Sequence, residues 1–228
     1  RPTPRTGDAA AAGDGPRVAA VVLAAGRASR MGSNKLVAEV DGEPIVRRVA
    51  RAALGSRAWP VVVVTGHDAP AVRAALAGLD VIVVDNPRYA DGMSTSLRAG
   101  IAAAGDAAAA LVCLGDMPRI ATAHLDAVID AYRAGDPADI VVPTCERKRG
   151  NPVLWPRAYF AEIGGLTGDV GARALLERHA DAVRAVAIDD PGILIDVDTP
   201  EALAAVRAGG AAPAAGEAAA GGPGSAKP

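Results

Sequence analysis

The chain has 228 residues, half of them hydrophobic, and a formal net charge of −2 from 24 basic and 26 acidic side chains. That length supports one substantial core. The near-neutral balance excludes a global basic field that would collect nucleic acid and an acidic field typical of a solvating tail.

Residues 1–16 and 208–228 are built almost wholly from small and polar side chains. They cannot bury enough apolar surface to offset ordering entropy, so both ends are expected to be disordered tails around one domain at 17–207. Residues 1–16 lack the apolar stretch of a signal peptide, and no run is long enough to span a bilayer. No membrane contact and a cytoplasmic location are expected. Aromatics make up only 3% of the chain, so the core must come from Ala, Val, Leu and Ile. The two cysteines, Cys113 and Cys145, are too few for a disulfide scaffold, and Cys113 reads as a small core residue.

Short apolar runs at Val18–Leu23, Val61–Val64, Val81–Val84, Ala109–Leu114 and Ile140–Val142 end in turn residues and read as strands buried on both faces. Helix-like stretches at 44–54, 68–77, 94–104 and 121–134 alternate with them. Such alternation predicts an α/β fold with a mostly parallel sheet covered on both sides. The second half is less regular. It reads as a strand at Asn151–Trp155, helices at 156–163 and 170–179, strands at Val183–Ile188 and Ile193–Val197, and a last helix at 200–207. Pro200 sits in the first turn of that helix, with Asp198 or Thr199 as its cap. Ligands of such sheets bind beyond the carboxyl ends of the strands.

The turn after the first strand, LAAGRASRMGSNKL at 23–36, places Arg27, Arg30 and Lys35 near Gly26 and Gly32 with no acid among them. It fits neither G-x-x-x-x-G-K-[ST] nor G-x-G-x-x-G, which argues against a P-loop ATPase and a dinucleotide-binding dehydrogenase. Forked hydrogen bonds from the arginines and a point charge from the lysine suit a nucleoside triphosphate whose pyrophosphate must leave. Downstream, Asp116 in LGDMP closes a strand, where a carboxylate can reach a hard divalent cation. Asp196 and Asp198 in IDVDTPE are two apart and would share a face of a strand. Asn86 has an amide suited to reading a base edge, and Ser94, Thr95 and Ser96 put hydroxyls and free N–H groups at a helix start.

These stretches resemble the molybdenum-cofactor nucleotidyltransferase-like family. The first matches its L-A-A-G-x-x-x-R-M-G-x-x-K signature. DNPRYADGMSTSL at 85–97 is similar to N-x-x-[YW]-x-x-G-[ML]-x-x-S, residues 149–153 to G-[HN]-P-V, and residues 167–173 to G-D-x-G-A-R. The resemblance implies a Rossmann-like three-layer sandwich of the nucleotide-diphospho-sugar transferase type. It implies Arg30, Lys35 and Asp116 as catalytic residues, and Mg²⁺ held by Asp116 and Asp198. Nucleotide binding would fall to Leu23, Ala24, Ala25, Gly26, Arg27, Gly32, Lys35, Asn86, Ser94 and Ser96. Acceptor binding would fall to Asn151, Asp169 and Arg173, although many members carry His at the position of Asn151.

The L-A-A-G form resembles the cytidylyl branch, in place of the L-A-G-G of guanylyl members. The expected reaction is transfer of CMP from CTP to the terminal phosphate of a molybdopterin-type acceptor, with release of pyrophosphate. An apo molybdenum hydroxylase or its maturation factor is an expected partner. Alternatives within this pattern are a transferase or nicotine-blue-oxidoreductase-like enzyme acting on another small acceptor. A nucleotide-binding cofactor carrier without transferase activity is a third.

Overall fold

The computed structural model describes residues 15–26, 31, 34–168 and 172–210. Nearly all of both expected tails lies outside these residues, as do Arg27, Arg30, Gly32 and Asp169. The central sheet is built on β1 (Val18–Ala24), β4 (Val61–Thr65), β5 (Ile82–Asp85), β6 (Ala109–Leu114), β7 (Ile140–Cys145), β9 (Val153–Pro156) and β10 (Val183–Ala187), in the order β10-β7-β9-β6-β1-β4-β5. A two-residue strand β8 (Lys148–Arg149) pairs with β7, and β2 (Glu39–Val40) and β3 (Glu43–Pro44) form a separate small hairpin. β1 is parallel to β4 and β6, β4 to β5, and β10 to β7. The expected mostly parallel sheet is therefore present, with β9 running antiparallel between β6 and β7.

The strand assignments follow from side-chain alternation with both faces apolar. Val18, Ala20, Val22 and Ala24 of β1 and Leu111 and Cys113 of β6 join one core. That core is closed by α1 (Ile45–Leu54), α2 (Ala69–Ala75) and α4 (Thr122–Arg133). Val21 and Val112 point into the opposite core, closed by α3 (Met93–Ala103), α5 (Phe160–Gly164) and α6 (Arg173–Arg178). Period-two burial on both faces requires a layer of helices on each side, which gives three layers. Trp155 is the bulkiest fully buried side chain, and the interior is otherwise mostly aliphatic, as the composition requires.

One predicted strand is absent. Ile193–Val197 does not pair in the sheet: Pro191–Leu194 is a 3₁₀ turn, capped where Asp190 Oδ1 accepts from Gly192 N at 2.7 Å, and extended chain follows. The apolar alternation there reflects burial in another cluster. Ile195 and Val197 pack with Val40, Ile45, Leu203 and Val206, between the small hairpin and α7 (Pro200–Arg207). α7 itself begins as expected, with Thr199 Oγ1 accepting from Ala202 N at 3.2 Å and Pro200 in the first turn. α3 starts at Met93 after Gly92, slightly ahead of the expected Ser94.

Candidate active site

Lys35 is the focus of the charged groups at the carboxyl edge of the sheet. Asn34 sets its position. Its Oδ1 accepts from Leu36 N at 3.1 Å, capping the 3₁₀ turn Lys35–Val37, while its Nδ2 donates to Asp68 at 3.0 Å. The Lys35 ammonium then donates to Asp116 Oδ2 at 2.6 Å and to Asp198 Oδ1 at 2.5 Å. Burial of Lys35 works to lower its pKa, but the two carboxylates outweigh it and the pKa ends above the ordinary lysine value. The group stays charged through the neutral range.

Asp116 reaches Lys35 because β6 closes tightly on β1 at their ends. Gly115 N donates to Leu23 O at 2.9 Å, and a Cβ on Gly115 would lie 2.8 Å from that oxygen, so only glycine fits without displacement. Asp198 arrives on the extended chain before α7, fastened where Val197 N donates to Asp116 O at 3.0 Å. Asp196 joins the same cluster. Burial, then the charges of Asp116 and Asp198, hold its carboxyl above the ordinary aspartate value.

A cavity of about 540 Å³ opens over this cluster. Its walls include Leu23, Ala25, Gly26, Lys35, Ser96, Asp116 and Asp198 from the expected set, with Tyr89, Met93 and Asp196 in addition. Ala24, Asn86 and Ser94 are not on the wall. Asn86 is 5% exposed and its amide is committed internally: Nδ2 donates to Thr95 Oγ1 at 2.8 Å and Ser96 Oγ at 2.9 Å, and Oδ1 accepts from Arg88 N. It pins the turn after β5 to the start of α3 and presents Ser96, where the sequence suggested direct reading of a base. Ser94 is fully buried, and its Oγ has no partner among the described residues.

A second cavity, about 730 Å³, shares Leu23, Met93 and Leu114 with the first and extends across β9 toward β7. Asn151 and Arg173 both line it. Arg173 is highly exposed and lies 3.6 Å from Glu177. The floor is apolar, with Val112, Val142, Val153 and Trp155, and the Arg147–Arg149 segment forms part of the rim. Arg147 and Lys148 of this rim were given no role from the sequence, and Asp196 was noted only for sharing a face with Asp198. Asp196 carried a signal, its spacing from Asp198; the rim carried only an ordinary-looking charge run.

The donor set fits a divalent cation. Asp116 Oδ1 is buried with no partner among the described residues, beside the second carboxylate of Asp198. No group of three His, Cys, Asp or Glu side chains is placed to hold an ion among the described residues. Two protein carboxylates, completed by water and phosphate oxygens, are what magnesium-type sites use when the substrate is a polyphosphate.

The MobA-like NTP transferase domain model matches residues 20–183. The purine catabolism protein PucB of Bacillus subtilis is 31% identical over 84% of this chain and 97% of its own length. Nicotine blue oxidoreductase of Paenarthrobacter nicotinovorans is 29% identical over 83% of this chain and 96% of its own. Among solved structures, Rv0371c of Mycobacterium tuberculosis H37Rv superimposes with a TM-score of 0.76 at 29% identity, covering 85% of this chain and 99% of that one. A manganese complex of Rv0371c aligns at 30% identity with a TM-score of 0.68, covering 82% of this chain and 96% of that one. The matched family model spans most of the chain and includes both the loop after β1 and the turn carrying Asp116 after β6, so the chain belongs to the MobA-like NTP transferase family of nucleotidyltransferases.

Proposed function

We propose that this protein transfers CMP from CTP to the terminal phosphate of a molybdopterin-type acceptor, forming the cytosine dinucleotide and pyrophosphate. The observation that carries this reading is the Lys35 ammonium bridging Asp116 and Asp198 where two cavities meet. The cavity over Lys35 takes the triphosphate. The apolar-floored one takes the acceptor.

An acceptor phosphate oxygen attacks the α-phosphorus of CTP. The bond from that phosphorus to the β-bridging oxygen breaks, and its electrons leave with pyrophosphate. The protein's part is positioning and charge neutralisation. Lys35 stabilises charge on the phosphates, and Asp116 and Asp198 would hold Mg²⁺, which would supply further charge neutralisation there. Arg27, Arg30 and Gly32 extend the phosphate cradle. Ala24 and Ala25 let the base approach the strand end, and Asn151, Asp169 and Arg173 contribute to the acceptor side. Asn86 and Ser94 support the nucleotide site from behind Ser96. We place the reaction in the cytoplasm, with an apo molybdenum hydroxylase or its maturation factor receiving the product. Among the described residues no helix is long and apolar enough to cross a membrane.

The similarity to nicotine blue oxidoreductase favours one second reading, a redox reaction on another small acceptor. The test is pyrophosphate release from purified protein with Mg²⁺, molybdopterin and each ribonucleoside triphosphate in turn. Release with CTP alone, dependent on molybdopterin, is the expected result. Turnover requiring a reduced nicotinamide cofactor would replace the transfer reading. Tight CTP binding without pyrophosphate release, with every acceptor tried, would make the protein a carrier.

A further inference from the structure

The turn joining β7 to β8 borders the larger cavity and has an uncommon backbone conformation. Thr144 pairs with Arg149 and Cys145 with Lys148, which leaves Glu146 and Arg147 as a two-residue hairpin loop. Both have positive φ, 47° and 67°. Such loops ordinarily use Asn and Gly, since a side chain at positive φ crowds the following carbonyl oxygen. Here the loop instead carries a long cation, followed by two more.

Arg147, Lys148 and Arg149 all line the larger cavity, and none lines the cavity over Lys35. Among the described residues they make no ion pair or side-chain hydrogen bond. Arg17, Arg57, Arg73, Arg88 and Arg178, by contrast, each have a carboxylate partner. Arg173, on the same cavity, is beside Glu177, the one acid on its wall among the described residues.

The hairpin is also anchored. Gly150 N donates to Pro143 O at 2.8 Å, and a Cβ on Gly150 would lie 2.5 Å from Ile193 O. Asn151 N donates to that same oxygen at 2.9 Å. Three unpaired cations are thus held over an apolar floor on a fixed support.

We infer that Arg147, Lys148 and Arg149 bind a negatively charged group of the acceptor distinct from its attacking phosphate. The attacking oxygen has to reach the Lys35–Asp116 cluster at the end of β6. The hairpin rises from β7, with β9 between them. Two strand spacings separate β6 from β7 by roughly 10 Å. The acceptor class is therefore a molecule with an apolar or flat body and anionic groups toward both ends, such as a phosphate at one and a thiolate, carboxylate or oxyanion at the other. This deepens the proposed function and rests on its placement of the acceptor.

The test replaces the three cations together as Arg147→Asn, Lys148→Gln and Arg149→Gln. Asn tolerates the left-handed backbone at 147, so the melting temperature should hold or rise. With molybdopterin as acceptor, KM for the acceptor should rise by about tenfold or more, the scale of one lost charged hydrogen bond. KM for CTP and kcat at saturating acceptor should stay unchanged. A matching loss of kcat would mean that the cations touch the reacting phosphate, and would overturn the inference.

A binding measurement reads the hairpin without any turnover. Anilinonaphthalene sulfonate, an apolar body with one anion, should bind the wild-type chain at one site and about tenfold more weakly the triple variant. Its affinity should be retained in Lys35→Ala. Equal dye affinity in wild type and triple variant would overturn the hairpin assignment even if transfer occurs. Failure of the wild type to release pyrophosphate with molybdopterin would count against the proposed acceptor, and the dye comparison would still decide the hairpin.

Discussion

The backbone N–H of Val197 donates to the carbonyl of Asp116 at 3.0 Å, so the chain bearing Asp198 is tied to the residue whose carboxylate shares Lys35 with it. The two acids are 82 positions apart, and no strand pairing joins them. One ladder-like hydrogen bond does the registering, and burial of Val197 between the small hairpin and α7 holds it in place. Geometry at the charged cluster therefore depends on the packing of a segment outside the sheet.

Lys35→Ala should remove most of the transfer activity while leaving the fold intact. Loss of one preorganised charge from a phosphoryl site lowers kcat by roughly 10²–10³-fold. The variant also leaves Asp116 and Asp198 facing each other without their cation. In metal-free buffer it should be less stable by about 1–2 kcal/mol, a buried-pair loss discounted for the partial exposure of Asp198. Added Mg²⁺ should recover much of that in a thermal melt. Unchanged kcat would remove Lys35 from the reaction.

His124 and Asp190 fasten the other end of the segment. His124 is buried, its Nδ1 accepts from Ala121 N at 3.2 Å, and its Nε2 meets Asp190 Oδ2 at 3.0 Å. The hydrogen bond from Gly192 N is the main reason the Asp190 carboxyl lies below the ordinary aspartate value; burial opposes this and the His124 contact adds to it. A lowered carboxylate pKa contributes stability above its unfolded value, and that contribution disappears as pH falls through the folded one. Asp190→Asn should therefore melt below wild type at neutral pH, with the gap closing below about pH 4. A gap that persists undiminished in acid would contradict this assignment.

How much of this was readable depends on where each constraint acts. The strands beginning at Val18, Val61 and Ala109 are legible because both their faces are buried, so the apolar run and its terminating turn coincide. Lys35, Asp116 and Asp198 are legible because each lies in a short motif that contains a glycine or a proline. Ile193–Val197 misleads because burial in a corner produces the same alternation as burial in a sheet, and periodicity cannot tell them apart. Asn86 misleads in another way: its amide chemistry suits a base edge, but three local partners within ten residues consume it. The hairpin cations are silent in sequence, since their meaning comes from the cavity that β6, β7 and β9 build beneath them.

Cys113 offers a check on the core. Burial pushes its thiol up to about 12. At pH 8 only about one molecule in ten thousand would carry the reactive thiolate, even before access is considered. Iodoacetamide should leave Cys113 unmodified in the native protein and label it promptly in denaturant, as read by mass spectrometry. Rapid labelling under native conditions would mean that β6 is not at the centre of the sheet.

Gly115→Ala tests the closure that delivers Asp116. The added Cβ would lie 2.8 Å from Leu23 O and 3.3 Å from Ala24 Cβ, so the ends of β1 and β6 must separate by several tenths of an ångström. Backbone atoms on both sides cannot rotate away as a side chain would, and overpacking of this kind costs about 1–3 kcal/mol. The same displacement moves Asp116 relative to Lys35 and strains the hydrogen bond from Val197. The expected result is a lower melting temperature together with a fall in kcat of about tenfold or more, since small misplacements of positioned groups are costly in rate. A variant that is destabilised yet fully active would show that Asp116 is positioned by Val197 and the segment before α7, with the β1–β6 closure contributing only stability.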